Sequence, residues 1–367
     1  MMTAANKKFR VLIVDDSAFM CRVLQEIISS DPQLQVVGQA RDGSEAVTLA
    51  DSLQPDVITM DINMPRVDGL QATEMIMTRH PRPIVIVSSE SREGADSTLR
   101  ALELGAIEFV PKPSTGIDLD MKTVGEELNR KLKLAAKVRV VRTATLSKIP
   151  AGHAPVTATS RSSASIQSGG RLPMVAIAAS TGGPAAVMRL VAGLPSEIAA
   201  PIFLVLHMPA SFTKQFAAQL GEVSPLPVKE AEHNEVPMPG TIYLCPGSHH
   251  LRISSTGNIA LDAGARIDGY RPCADVAFET LAAYARSLAI GVVLTGMGSD
   301  AARGAKAIKG TGGFVVAQDE ATSVIFGMPS EAIKAGAVDQ VLPLAEIARA
   351  IERRVAKLSR LVPAGVR

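Results

Sequence analysis

Three residues suited to nucleophilic catalysis stand just past short apolar runs. Ser180 follows Val175–Ala178, His207 follows Ile202–Leu206, and Asp300 lies a few residues beyond Ala289–Leu294. A serine hydroxyl attacks poorly unless a base takes its proton. A histidine suits that task near neutrality, and a carboxylate can fix its tautomer and stabilise the imidazolium. Ser180 lies in MVAIAASTGGPAAV, residues Met174–Val187. There an expected strand meets a helix expected over Ala185–Leu194, with Pro184 in a first turn that needs no N–H from it. A serine on so tight a turn is lifted out of the sheet beside helix N-terminal amides that can hold an oxyanion. The pattern Ala178-x-Ser180-x-Gly182 has the form of a nucleophile elbow with alanine for the usual first glycine. It also fits a glycine-rich turn that only joins strand to helix, or one that cradles a phosphate. His207 is the one histidine that ends a strand expected beside that of Ser180, yet alone it also fits a hydrogen-bonded loop residue. Asp300 also fits an N-cap for the helix expected from Ala301. The loop Gly296–Gly298 offers the Met297 N–H as a second oxyanion donor. The order Ser, His, Asp differs from the Ser, Asp, His of α/β-hydrolases, but a triad is defined by geometry rather than order.

A second constellation occupies the N-terminal third. Asp15 and Asp16 end a first apolar run, Asp61 a third, Ser88 a fourth and Lys112 a fifth. Three carboxylates in one crevice repel each other unless a cation joins them. Hard oxygen ligands suit Mg²⁺, which keeps open positions and can coordinate a phosphate. Lys112 would add positive charge for a phosphoryl oxygen. Each residue alone also fits a strand-ending turn or a solvated charge, but four strand ends agree.

These residues need elements to position them. The strands are expected at Val11–Val14, Gln35–Gly38, Val57–Met60, Pro83–Val87 and Glu108–Val110. Helices are expected at 18–29, 43–53, 69–79, 93–104 and about 120–136. Such alternation predicts a doubly wound parallel five-stranded sheet, with ligands at the carboxyl ends of its strands. A second α/β domain follows, with an antiparallel insertion read from TIYLCPG, LRIS and NIALD between 241 and 262. The boundaries read as 1–127, a linker over 128–172, and 173–367. From Leu128 to Pro173 there is no acidic residue, and the second half of that stretch is rich in Ser, Thr, Ala and Gly.

Composition excludes several classes. The 367 residues are 47% hydrophobic and 20% charged, as in ordinary globular proteins. A net charge of +2 does not suggest a nucleic-acid or membrane partner. No apolar run approaches the roughly 18 residues of a spanning helix, and Val11–Val14 is too short for a signal peptide, so the cytoplasm is expected. Cys21, Cys245 and Cys273 are scattered and odd in number, which suggests neither a disulfide framework nor a zinc site.

Residues 9–113 resemble a response-regulator receiver domain. The resemblance implies that Asp61 accepts a phosphoryl group and that Asp15, Asp16, Asp61 and the Asn63 carbonyl hold Mg²⁺. It implies that Lys112 contacts the phosphoryl group, with Ser88 as switch hydroxyl and Phe109 at the aromatic switch position. A chemotaxis-type histidine kinase is the implied donor. The whole chain resembles the chemotaxis-type protein-glutamate methylesterases. The motifs are Ser180-Thr181-Gly182-Gly183, His207-Met208-Pro209 and Gly296-Met297-Gly298-x-Asp300, with Cys245-Pro246-Gly247…His250-Leu251, Arg271-Pro272 and Gln318-Asp319…Met328-Pro329. The resemblance implies hydrolysis of glutamate γ-methyl esters on methyl-accepting chemoreceptors, with deamidation of receptor glutamines and activation by phosphorylation. Ser180 would be nucleophile, His207 base and acid, Asp300 the orienting carboxylate, Thr181 a support for the site and the Met297 backbone a support for the oxyanion, with no cofactor for ester hydrolysis. A monomer is expected. Four positions depart from the family pattern: Ala178 for Gly, Leu206 for Gln, Cys273 for Ser and Ala301 for Gly. A receiver-linked transcription factor is disfavoured because no helix-turn-helix or basic recognition helix is evident. A phosphorylation-controlled docking module that kept the fold is the other alternative.

Overall fold

The computed structural model describes residues 8–88, 92–112, 118–138 and 172–361. The chain forms two units, Met1–Ser147 and Lys148–Arg367.

The first unit alternates β1 (Phe9–Val14), α1 (Ala18–Ser29), β2 (Leu34–Ala40), α2 (Gly43–Leu53), β3 (Val57–Met60), α3 (Gly69–Arg79), β4 (Ile84–Ser88), α4 (Arg92–Glu103), β5 (Glu108–Pro111) and α5 (Asp118–Ala135). The strands form a five-stranded sheet in the order β2-β1-β3-β4-β5, with every neighbouring pair parallel. A parallel sheet is covered on both faces, so its strands are apolar throughout rather than alternating. Val11, Ile13, Val57, Val85, Val87 and Val110 accordingly pack beneath α1 and α5. Helix starts are held by side chains: Ser17 and Asp42 cap α1 and α2, and Asp68 forms a capping box with Gln71 on α3.

The expected linker boundary at 128 falls inside α5. Leu128, Leu132 and Ala135 are fully buried in the first core, so an acid-free sequence here is a helix with one apolar stripe, not a linker. The remaining linker expectation, over 139–171, lies outside the described residues.

The second unit contains β6 (Met174–Ala179), α6 (Gly183–Ala192), β7 (Ile202–Leu206), α7 (Ala210–Val223), β8 (Val228–Glu230), β9 (Ile242–Leu244), β10 (His250–Ile253), β11 (Ile259–Asp262) and α8 (Ala274–Ala285). Then come β12 (Ala289–Val293), α9 (Ala302–Gly310), β13 (Phe314–Gln318), α10 (Met328–Lys334), β14 (Gln340–Leu342) and α11 (Leu344–Leu361). Seven strands form one parallel sheet in the order β14-β13-β12-β6-β7-β9-β8. From β6 the chain winds outward through β7, then returns to β6's other side with β12 and winds away. The strand order therefore reverses beside β6, and the carboxyl ends of β6, β7 and β12 frame the crevice where such sheets bind ligands.

The antiparallel insertion is smaller than expected. Only β10 and β11 form it, paired from His250↔Asp262 to Ile253↔Ile259. The TIYLCPG segment instead supplies β9, parallel to β7 and β8. Its three residues are buried, and a short buried apolar run extends a parallel sheet as readily as it makes a hairpin. The short half-buried strand β8 was not anticipated.

Gly69 bounds the Asp61 loop closely, because a Cβ there would lie 2.0 Å from the Asp61 carbonyl oxygen and 2.7 Å from the Ile62 Cα. Both obstacles are backbone and cannot rotate away. Gly69→Ala is expected to destabilise the first unit by roughly 1–3 kcal/mol, the range for overpacking. Urea unfolding checks this, and an unchanged midpoint would show that the loop yields.

Candidate active site

At the end of β6 the backbone turns sharply. Gly182 has φ +72° and caps α6, where a Cβ would strike the Val324 side chain at 2.5 Å. Glycine is the residue that reaches this left-handed conformation without Cβ strain. Gly183 N–H closes the turn on the Ser180 carbonyl at 2.6 Å. The loop after β12 approaches from the neighbouring strand end. Ser180 N–H donates to the Thr295 carbonyl, and a Cβ on Gly296 would lie 2.8 Å from Ser180 Cβ. Glycine at 296 thus lets the two loops meet.

Ser180, His207 and Asp300 come together in a line. Ser180 Oγ lies 3.0 Å from His207 Nδ1, and His207 Nε2 lies 2.7 Å from Asp300 Oδ2. An ionised carboxylate only accepts, so the proton between His207 and Asp300 sits on Nε2, which leaves Nδ1 unprotonated and facing the serine. The arrangement can pass a proton from Ser180 Oγ to Nδ1 as the oxygen attacks a carbonyl.

The buried Asp300 carboxylate is densely hydrogen-bonded. Oδ2 also accepts from Ala274 N–H at 2.7 Å. Oδ1 accepts from the Asp275 and Ala301 N–H groups at 2.8 and 2.9 Å and from the Cys273 thiol at 3.2 Å. Burial alone would raise its pKa. The His207 hydrogen bond and charge, with the amides at the start of α8, outweigh burial and hold it at about 2. Burial, and then the Asp300 charge, push the Cys273 thiol up to about 12, so this cysteine acts as a donor and not as a thiolate. Ala301 adopts φ +74°, so alanine here bears left-handed strain of about 1 kcal/mol that glycine would avoid.

Thr181 is buried, and its carbonyl accepts from Thr295 Oγ1. Its N–H follows the nucleophile position, where an elbow places an oxyanion donor. Met297 lies in the adjoining loop between Gly296 and Gly298, at the partly exposed mouth of the site.

Several participants were not assigned a role from sequence. The Tyr270 ring stacks on His207 with centroids 4.2 Å apart and planes 16° apart. Thr295 ties the strand ends together: its N–H donates to Gln318 Oε1, and its hydroxyl contacts the Thr181 and Ile325 carbonyls. Only the Arg271-Pro272 and Gln318-Asp319 motifs pointed to this neighbourhood, and no periodicity signals a stacked tyrosine. Of the four positions singled out above, Ala178 and Leu206 are buried in β6 and β7, while Cys273 and Ala301 both donate to Asp300.

In the first unit, carboxylate oxygens of Asp15, Asp16 and Asp61 lie within 4.8 Å of one another. Asp15 and Asp61 are buried and Asp16 is exposed. Lys112 Nζ bridges Asp15 and Asp61 at 2.9 and 2.8 Å. Burial raises the Asp61 pKa, against the opposing pull of Lys112. Three hard oxygen donors at this spacing fit a divalent cation such as Mg²⁺. Ser88 is buried at the end of β4, with its hydroxyl on the Gly94 carbonyl. Asn63 is exposed in the loop after β3. Phe109 is buried in β5, beneath the Lys131 ammonium at 5.3 Å from the ring centroid.

Comparison with known proteins follows the same division. The family "Response regulator receiver domain" matches residues 11–123, and the family "CheB methylesterase" matches residues 175–351. A protein-glutamate methylesterase/protein-glutamine glutaminase of Pyrococcus horikoshii is 43% identical, over 96% of this chain and 95% of its own. One from Symbiobacterium thermophilum is 42% identical over 97% and 99%. A third, from Pseudomonas aeruginosa, is 40% identical over 95% and 97%.

Beside Asp300, the buried Asp275 carboxylate accepts from Gly304 N–H at 2.7 Å, and its pKa is raised to about 6 by burial first and by Asp300 as well. In the folded chain it binds a proton up to about pH 6, whereas its ordinary value is 3.8. The folded state therefore holds more protons in that window, and the contribution to stability falls as pH rises through it. Asp275→Asn keeps an oxygen acceptor and removes the titration. The stability of the wild type relative to this variant is expected to fall between about pH 4 and 6. Denaturant unfolding at a series of pH values checks this, and a constant difference would refute the assignment.

Proposed function

Because the chain belongs to the protein-glutamate methylesterase/protein-glutamine glutaminase family, built of a receiver domain and a CheB methylesterase domain, we propose that it hydrolyses glutamate γ-methyl esters of chemoreceptors at Ser180. The observation that carries this reading is the line Ser180 Oγ, His207, Asp300, with contacts of 3.0 and 2.7 Å.

In the mechanism His207 Nδ1 takes the Ser180 proton as Oγ bonds to the ester carbonyl carbon. The negative charge that forms on the carbonyl oxygen meets backbone N–H groups, with Thr181 and Met297 as the donors. Nδ1–H then gives its proton to the departing methoxide, and methanol leaves. Water adds to the acyl-serine with Nδ1 as base, releasing the glutamate carboxylate and restoring the Ser180 hydroxyl. A glutamine side chain follows the same course with ammonia as the leaving group. Asp300 stays ionised throughout, because it must neutralise the imidazolium. Its five hydrogen-bond donors favour that charged form.

The receiver supplies control. Asp61 accepts a phosphoryl group from a chemotaxis-type histidine kinase, with Lys112 contacting it and Ser88 and Phe109 reading the change. Asp15, Asp16, Asp61 and the Asn63 carbonyl would hold Mg²⁺, which would neutralise phosphoryl charge. Phosphorylation shifts the esterase toward its active population.

Methanol release from methylated receptor membranes tests the chemistry. Ser180→Ala is expected to lose at least about 10⁴-fold in rate while Asp61 still takes a phosphoryl group. Near-normal release would remove Ser180 from the mechanism, and no release from the wild type would favour a docking module. Adding a small-molecule phosphodonor with Mg²⁺ to the wild type is expected to raise the rate. An unchanged rate, with Asp61 shown to be phosphorylated, would leave the esterase and remove its control.

A further inference from the structure

The segment Cys245-Pro246-Gly247…His250-Leu251 contributes no reacting atom to the mechanism above, yet one of its side chains reaches the triad through a single backbone contact. His250 opens β10, and only 1% of it is exposed. Its Nδ1 lies 3.2 Å from the Cys273 N–H, and its Nε2 lies 3.0 Å from the Ala265 carbonyl oxygen. A backbone N–H can only donate and a carbonyl can only accept. Nδ1 is therefore bare, Nε2 carries the proton, and the ring is neutral in one tautomer. It holds the chain between β11 and α8 at both ends of residues 265–273.

Cys273 is where α8 begins, and its own side chain makes no cap hydrogen bond to that helix. The starts of α1, α2 and α3 are fixed by Ser or Asp side chains that bond to first-turn amides. In α8 the first-turn amides of Ala274 and Asp275 are aimed at Asp300, and the Cys273 thiol points there too. With the side chain committed to Asp300, the Cys273 backbone takes its anchor from His250. The links run His250 Nδ1, Cys273 N–H, the α8 donors, Asp300, His207 and Ser180.

We infer that His250 is a positioning residue of the esterase: it holds Cys273 in the register that aims the thiol and the first-turn amides of α8 at Asp300. This rests on the Ser180–His207–Asp300 reading and extends it. A histidine that only fills the core of the antiparallel pair would serve by its volume. A positioning histidine serves by its acceptor at Nδ1. The two roles separate on substitution. In asparagine, Oδ1 stands where Nδ1 stood and can accept from Cys273. In glutamine, which is closer to histidine in volume, the amide lies one bond too far.

The test uses the full-length protein and methanol release from methylated receptor membranes with phosphodonor and Mg²⁺. His250→Gln is expected to lower kcat about 10- to 100-fold with little change in KM, as displaced catalytic geometry does. His250→Asn is expected to recover most of kcat despite its smaller volume. Because the two act along one line, His250→Gln combined with Cys273→Ala is expected to lose less than the product of the single losses. Thermal unfolding of each variant reports folding, and where the glutamine variant does not fold, His250→Leu, of similar volume and without an acceptor, takes its place in the comparison with asparagine and in the cycle with Cys273→Ala. Glutamine equal to or better than asparagine, a loss confined to KM, or multiplicative losses in the cycle would each overturn the inference. Ser180→Ala, run alongside, separates the cases: if it retains activity, the triad reading itself fails and this inference falls with it.

Discussion

A buried carboxylate is costly to keep ionised unless donors surround it, and the second unit is arranged around meeting that cost at Asp300. Its two oxygens receive a histidine, a thiol and three backbone amides, drawn from the end of β7, the start of α8 and the turn before α9. These three segments are brought together by different connections of the same sheet. Remove the sheet order and the donors disperse, leaving the carboxylate either protonated or exposed. Either state would free the imidazole to rotate, and Ser180 would lose its base.

The surrounding loops answer to the same constraint. Gly182 leaves room for the Val324 side chain, and Gly296 lets the loop after β12 meet Ser180, so that Ser180 and the Asp300 loop share one crevice. Thr295 and Gln318 then lock the ends of β6, β12 and β13 together through hydrogen bonds that leave little freedom for drift. Ala301 holds a left-handed conformation next to Asp300 without being glycine. The chain thus carries backbone strain beside its most densely hydrogen-bonded carboxylate.

The first unit solves a related problem with the opposite sign of tolerance. Asp15 and Asp61 are buried beside each other, and a single ammonium from Lys112 bridges them. One cation for two buried carboxylates, with Asp16 close by, leaves the pocket short of positive charge. Such a shortage suits a divalent cation. Asp300 is satisfied by the protein itself, whereas the Asp61 pocket has the charge that an added cation would balance.

Much of this was legible in the sequence because it is local. Apolar runs followed by Ser180, His207, Asp61 or Lys112 announce strand ends, and strand ends of parallel sheets are where ligands sit. The five strands of the first unit and their parallel sheet were readable for the same reason. The places where reading failed involve partners distant in sequence. Ile242–Leu244 looks the same whether it pairs in a hairpin or joins a parallel sheet, and the stretch from Leu128 to Ala135, expected to be helical, gives no local sign that its apolar residues belong to the first core and not to a linker. The sequence by itself determined which residue types were available and that they would lie at strand ends. Only the tertiary structure decided that the amides of residues 274 and 275 would face Asp300, that Tyr270 would stack on His207, and that His250 would anchor Cys273. The reason is physical: backbone donors carry no side-chain signature, so their direction is set by how the chain packs and not by which residues it contains.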